Sequence, residues 1–290
     1  MHRHRPGEPE KDQPTTARPK ERVHPVHALQ QKVGNSGVNR LMVQRTRDMD
    51  TTLNDLDNIR QFGQPGGLDP ASTAAEQRLA NSFPQENGQP QQFPDPSAHL
   101  PGAGLAHWLN AKSPKGPAAN TYGTADWVAN INSQRDEPGT AFLRNCIDAA
   151  RAFLKSWYGR PTAAAGVHDP APGLESDGGG KTKQWLETEW RTSENGRGPT
   201  WSDIEARLKS AGHGAVAIVI FDRGTIHAVN GVNHNGNVYW VDPQMGHISK
   251  KPLYEMQGPA ESITLNAQFQ PVDEPPPLTT SIEAALAALG

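Results

Sequence analysis

A single cysteine, Cys146, is the only thiol in the 290 residues. One cysteine cannot form an internal disulfide, and it excludes a multi-cysteine zinc site. Apolar residues are also scarce, at 34% of the chain, with a mean hydropathy of -0.70. A chain folded from end to end normally carries more. No apolar run approaches the length needed to span a bilayer. The basic start, Met1-His-Arg-His-Arg-Pro, has no apolar run after it. A cleaved secretory signal is therefore not expected, and export would need another route. Nor is there an excess of charge of one sign. A formal net charge of -3 gives no general attraction to nucleic acid or acidic membrane.

Glycine and proline are plentiful instead, at 28 and 26 residues. Their distribution, with that of the apolar residues, divides the chain. Residues 1–23 are almost wholly Arg, Lys, Glu, Asp, Pro, Thr and Gln, and read as disordered. A short string with Leu29, Val33, Val38, Leu41 and Met42 follows, and a second short helix is expected over residues 46–60. Residues 1–60 thus read as a disordered segment with a short helical element. The Gly-, Pro- and Gln-rich stretch 61–100, with Gln85-Glu-Asn-Gly-Gln-Pro inside it, reads as a linker. Aromatic and apolar residues gather from Trp108 onward, so 101–270 is the expected folded domain. Residues 271–290 hold a Pro-rich linker and a short helix from Ser281 to Leu289.

Asn145-Cys146-Ile147-Asp148 opens the strongest helical pattern in the chain. Ile147, Ala150, Phe153, Leu154 and Trp157 recur at intervals of three and four, and Gly159 with Pro161 ends the run. Asn145 suits the N-cap, and Asp148 sits where a first-turn acid is favoured. Cys146 then lies in the first turn, where exposed N–H groups and the positive dipole end favour a reactive thiolate. A lone cysteine is ordinarily an inert core residue, and its position at a helix start is what argues otherwise.

The second half of the site is a hairpin. Ala215–Phe221 reads as a buried strand, Ile226–Val232 as the next, and Asn237–Asp242 as a third, with Asn235-Gly236 as the turn signal. A two-residue turn puts His227 opposite Gln244 and diagonal to Asp242, and a four-residue loop puts it opposite Asp242. Both registers leave His227 and Asp242 on one face. A helix-borne cysteine followed by a histidine and then a carboxylate is the order of a papain-like arrangement. Cys146 is then the nucleophile, His227 the base and Asp242 its orienting partner. His247 is an outside candidate for the base; between Gly123 and Cys146 the one glutamine, Gln134, lies too far along to be assigned to an oxyanion hole. Ser202 with Glu205 reads as a capping box.

Residues from about 140 to 250 resemble papain-fold toxins that act as protein-glutamine deamidases. The resemblance rests on Asn145-Cys146, Gly159-Arg-Pro161, His227-Ala-Val-Asn230-Gly-Val232, Asn235-Gly236 and Tyr239-Trp-Val-Asp242-Pro-Gln244-Met-Gly246. It implies an α+β, papain-like thiol hydrolase: a helix carries Cys146, an antiparallel sheet carries His227 and Asp242, and Asn145 and Gln244 give polar support. It also implies a target-cell protein as substrate, with no metal or organic cofactor. A thiol peptidase or a transglutaminase would use the same triad, and a non-catalytic binding module would use none of it. A second resemblance covers Leu29-Gln30, Gly34-Asn35, Val38, Arg40-Leu41 and Gln44-Arg45. These residues look like the N-terminal string of cargo proteins of extracellular contractile injection systems. That implies a protein made in a bacterial cytoplasm, loaded through residues 27–45, acting inside a target cell, with a cognate immunity protein as a further candidate partner.

Overall fold

In the computed structural model, the described residues are 49–93, 123–124, 126–168, 173–192 and 198–272. All fall in one compact unit, Thr46–Pro276. The string at 27–45 and the helix expected at Ser281–Leu289 lie outside the described residues.

The helices are α1 (Met49–Asn54), α2 (Leu56–Arg60), α3 (Thr73–Ser82), α4 (Asp126–Ile131), α5 (Cys146–Trp157), α6 (Gly178–Leu186) and α7 (Trp201–Ala211). Strands β1 (Leu68–Asp69) and β5 (Gly166–Val167) pair with each other, as do β2 (Gln85–Glu86) and β3 (Gln89–Pro90). The main sheet contains β4 (Gly123–Thr124), β6 (Val216–Asp222), β7 (Ile226–His234), β8 (Asn237–Asp242), β9 (His247–Ser249) and β10 (Glu261–Leu265). Its order is β10-β6-β7-β8-β9-β4, and every neighbouring pair is antiparallel.

Both faces of this sheet are covered, which is why β6 reads as an unbroken apolar run rather than an alternating one. Val216 and Ile218 pack in the cluster that contains α5, while Ala217, Val219 and Phe221 pack with Ile204 and Leu208 of α7. Of the twelve residues of α5 only Lys155 is not buried. A helix enclosed on all sides is a core element rather than a surface amphipathic one. The sheet covers one side of it, and the chain before residue 94 covers much of the rest.

That earlier chain corrects the expected boundaries. Residues 49–60 are two short helices broken at Asp55, and Leu53 and Leu56 are fully buried. Residues 61–93 are not a linker: Leu68, Leu79, Phe83 and Phe93 are all buried. Phe93 stacks between Trp127 (5.2 Å, 16°) and Trp157 (4.9 Å, 9°), and Phe153 stacks on Trp127 at 5.5 Å. Burying each such side chain contributes about 1.5–3 kcal/mol. The polar Gln85–Pro90 stretch is a hairpin, turned at Asn87-Gly88 with φ of 53° and 75°. Its Asn-Gly signal has the same physical basis as the one at Asn235-Gly236.

A buried ionic cluster joins this arm to α5. Asp148, fully buried, accepts Nε and Nη2 of Arg60 at 3.1 and 3.0 Å, Nη2 of Arg151 at 3.0 Å and the Ala165 N–H at 2.7 Å. Arg151 also pairs with Glu175, which lies 3.5 Å from Lys181. Burial raises the Asp148 pKa, but the charges of Arg60 and Arg151 outweigh it and hold the carboxyl below its usual range. At Glu175 the balance reverses: burial, aided by the Asp148 charge, pushes the pKa up despite Arg151 and Lys181. Asp148 is therefore not simply the first-turn dipole acid that its position suggests.

Helix α7 is capped by Thr200 and Asp203, whose side chains bond each other's backbone N–H, rather than by Ser202 and Glu205. Trp185, Trp190 and Trp201 each donate their indole N–H to a backbone carbonyl, those of Thr52, Gly179 and Tyr254.

Candidate active site

Cys146 is the first residue of α5 and is 5% exposed. Asn145 occupies the N-cap position, but its side chain makes no capping bond. It is fully buried and does something else: its amide donates to Asn132 Oδ1 (3.0 Å) and to the Ala165 carbonyl (2.8 Å), and its Oδ1 accepts Gln244 Nε2 (3.2 Å). Asn132 Nδ2 reaches the carbonyls of Phe142 (2.9 Å) and Gln244 (3.1 Å). A buried amide left unpaired costs about 1–3 kcal/mol, so three amides satisfying one another form a strongly specified joint. This joint ties the residue before Cys146 to the segment that follows Asp242. Gln244 thus bonds directly to the residue before Cys146, and nothing in the sequence marks Asn132 as the third member of the joint.

The hairpin adopts the two-residue turn. Asn235 and Gly236 have φ of 51° and 80°, and His234 pairs with Asn237. The ladder continues to Asn230 opposite Val241, so the same register carries His227 to Gln244 and leaves Asp242 on its diagonal. His227 Nε2 lies 2.8 Å from Asp242 Oδ2, with His227 2% exposed and Asp242 fully buried. Cys146 is close enough to His227 to raise its pKa. Since Nε2 is engaged by Asp242, Nδ1 is the nitrogen left for the sulfur. Ile226, on the opposite sheet face, is 53% exposed and takes no part in this contact.

Electrostatics follow from this geometry. Burial pushes the His227 pKa down, but the hydrogen bonds and charges of Asp242 and Cys146 win and lift it to about 9. Burial likewise raises Asp242, yet the hydrogen bond and charge of His227, then Tyr254 and the Met245 N–H, bring it below its usual range. Oδ1 accepts that N–H at 3.0 Å, while Oδ2 is shared between His227 and the Tyr254 hydroxyl. Tyr254 is a site residue that sequence reasoning missed, because it lies in an irregular loop with no motif around it.

The other histidines and Gln134 stand apart. His247 pairs with Asp242 across β8 and β9, and burial lowers its pKa. His227, however, is the histidine whose pKa Cys146 raises. His213 meets His234 at 5.2 Å, at the far end of β7, roughly 23 Å from His227 at 3.3 Å per residue. Gln134 accepts the Ser72 N–H and donates to Glu137. Among the described residues no group of three or more His, Cys, Asp and Glu side chains could hold a metal ion. No helix among them is long and apolar enough to cross a membrane.

No curated protein and no solved structure matches the chain. Residues 144–247, which run from just before Cys146 to just past Asp242, match the model of the family described as papain fold toxin 1, glutamine deamidase, and over that segment the chain is similar to this family.

Proposed function

We propose that the chain is a toxin that deamidates a glutamine side chain on a target-cell protein, with Cys146 as nucleophile. The observation that carries this reading is the placement of His227, hydrogen-bonded to Asp242 on one side and within electrostatic reach of Cys146 at a helix start on the other. The Cys146 sulfur, as thiolate, attacks the carboxamide carbon, forming a C–S bond and moving the carbonyl electrons onto oxygen. The backbone N–H of Cys146 belongs to a first helical turn, where donors have no partner within the helix, and it stabilises that oxyanion. With a pKa of about 9, His227 carries a proton at neutral pH. It gives this proton to the amide nitrogen as the C–N bond breaks and ammonia leaves. Neutral His227 then removes a proton from water, whose oxygen attacks the thioester and releases the sulfur. Asp242 holds the ring through both steps. The product carries a glutamate in place of a glutamine.

A thiol peptidase and a transglutaminase would share the first half of this cycle and differ in what leaves and what attacks. The test is mass spectrometry of target-cell proteins after expression of the full chain. The expected finding is a gain of one glutamate at the expense of one glutamine at a discrete site. Cleaved or cross-linked peptides in its place would overturn the reading in favour of one of the other two.

Delivery rests on the string at 27–45, which we assign as a loading address for an injection particle. A cognate immunity protein in the producing cell belongs to the same reading. Deleting residues 1–45, which precede the unit Thr46–Pro276, should leave activity unchanged and eliminate loading. Normal loading without them, measured by immunoblot of purified particles, would show that the address lies elsewhere.

A further inference from the structure

Asp242 Oδ2 accepts two donors, Nε2 of His227 and the hydroxyl of Tyr254. Tyr254 lies twelve residues beyond Asp242 in the irregular stretch between β9 and β10, yet it is held from several sides. Its ring stands edge-on to the imidazole of His227, with centroids 5.3 Å apart and planes at 88°. Phe221 lies 5.9 Å from it. The guanidinium of Arg223 covers it, 4.5 Å from the centroid, and its carbonyl accepts the Trp201 indole N–H at 2.9 Å. A residue that only filled space here could be phenylalanine. The hydroxyl is instead placed on the carboxylate oxygen that orients the base.

The geometry points to Tyr254 as a positioning residue for the reaction, one that acts through Asp242; this rests on the Cys146–His227–Asp242 reading given above. Without the phenol, among the described residues only the Met245 N–H on Oδ1 and the imidazole itself fix the carboxylate plane. The carboxylate can then rotate about its Cα–Cβ and Cβ–Cγ bonds, and the imidazole that follows it swings away from Cys146. Charge acts in the same sense. A phenol donating to Oδ2 shares the charge that would otherwise go wholly to the imidazole proton, so Tyr254 also sets how firmly that proton is held on Nε2.

The test uses the full chain with two probes: ammonia release from carbobenzoxy-glutaminylglycine, and alkylation of Cys146 by iodoacetamide. Tyr254→Phe keeps the ring against His227 and under Arg223 and removes only the hydroxyl. It should lower kcat about tenfold, the scale of one hydrogen bond to a carboxylate, with KM unmoved and alkylation slowed in parallel. In an Asp242→Ala background the same change should have no further effect, because the group it acts through is gone. Wild-type kcat in Tyr254→Phe would reduce Tyr254 to packing, and an undiminished loss in the Asp242→Ala background would place its action elsewhere. Either result overturns the inference. Should Tyr254→Phe not fold, proton NMR of the wild type decides. Two low-field exchangeable protons, from Nε2 and the phenol, should both vanish in Asp242→Ala, and a single one would overturn the proposal. If the wild type releases no ammonia beyond Cys146→Ala, the deamidase reading fails, while alkylation still decides the role of Tyr254.

Discussion

Cys146→Ala is expected to remove toxicity and ammonia release by several orders of magnitude, the scale on which loss of a covalent nucleophile is felt. It should do so in a folded protein. The change deletes one sulfur atom beside Ala149 and Ala150, and a cavity of that size costs about 1 kcal/mol. The thermal midpoint, measured next to activity, should therefore shift by only a few degrees. A folded variant that kept its toxicity would sink the nucleophile assignment. The substitution should also be felt at His227, which loses one of the two partners that lift its pKa to about 9. Because that folded value lies above the ordinary one, protonation of His227 stabilises the fold fully below about pH 6.5, and this contribution is lost as pH rises through about 9. In Cys146→Ala the upper end of that window should move down, as an NMR titration of the imidazole would show.

Arg60→Ala is expected to give the largest loss of stability. Arg60 is 4% exposed, and its guanidinium meets both oxygens of Asp148 and the carbonyl of Ala163. Removing one side of a buried ion pair leaves a charge without its partner and typically costs about 3–5 kcal/mol, out of about 5–15 for a whole domain. Arg151 and the Ala165 N–H still reach Asp148, which sets the lower end of that range as the expectation. Urea unfolding followed by tryptophan fluorescence would measure it, and an unchanged midpoint would show that the pair contributes nothing net. Because Asp148 lies two residues after Cys146, partial unfolding here should reduce alkylation of the thiol as well. A chain cut before residue 61 would lose Arg60 together with the buried Leu53 and Leu56. The proposed loading segment therefore ends before α1 rather than at residue 60.

What could be read in the sequence was whatever has a short period. The helix from Cys146 shows its apolar spacing, and the hairpin shows Asn235-Gly236 between two β-branched runs. The hairpin signal brings His227 and Asp242 onto one face, whereas Cys146 joins them only through the papain-like order of the three residues. The arm from Met49 to Phe93 was not legible because its buried residues, Leu53, Leu56, Leu68, Leu79, Phe83 and Phe93, are spread through polar stretches. Averaged over such windows, composition reports solvent, although Phe93 lies in the middle of an aromatic stack. Tyr254, Asn132 and Arg60 escaped for a related reason. Each works through a partner far along the chain, and spacing rules describe only near neighbours. Asp148 was recognised as a first-turn acid, but local position could not reveal that it is wholly enclosed.

The ionic cluster and the arm's contacts also set an order in time. Arg60 is synthesised 88 residues before Asp148, and the Thr52 carbonyl 133 residues before the Trp185 indole that binds it. The carbonyl that Tyr158 will hold, that of Asn266, comes 108 residues after it. Contacts so distant along the chain close slowly, since a long loop must be ordered before any of them forms. A chain emerging from a ribosome at about 5–20 residues per second therefore exposes Cys146 for several seconds before Asp242 and Tyr254 exist. During that interval the thiol has no imidazole fixed against it, and the proposed chemistry must wait until the last strands are in place.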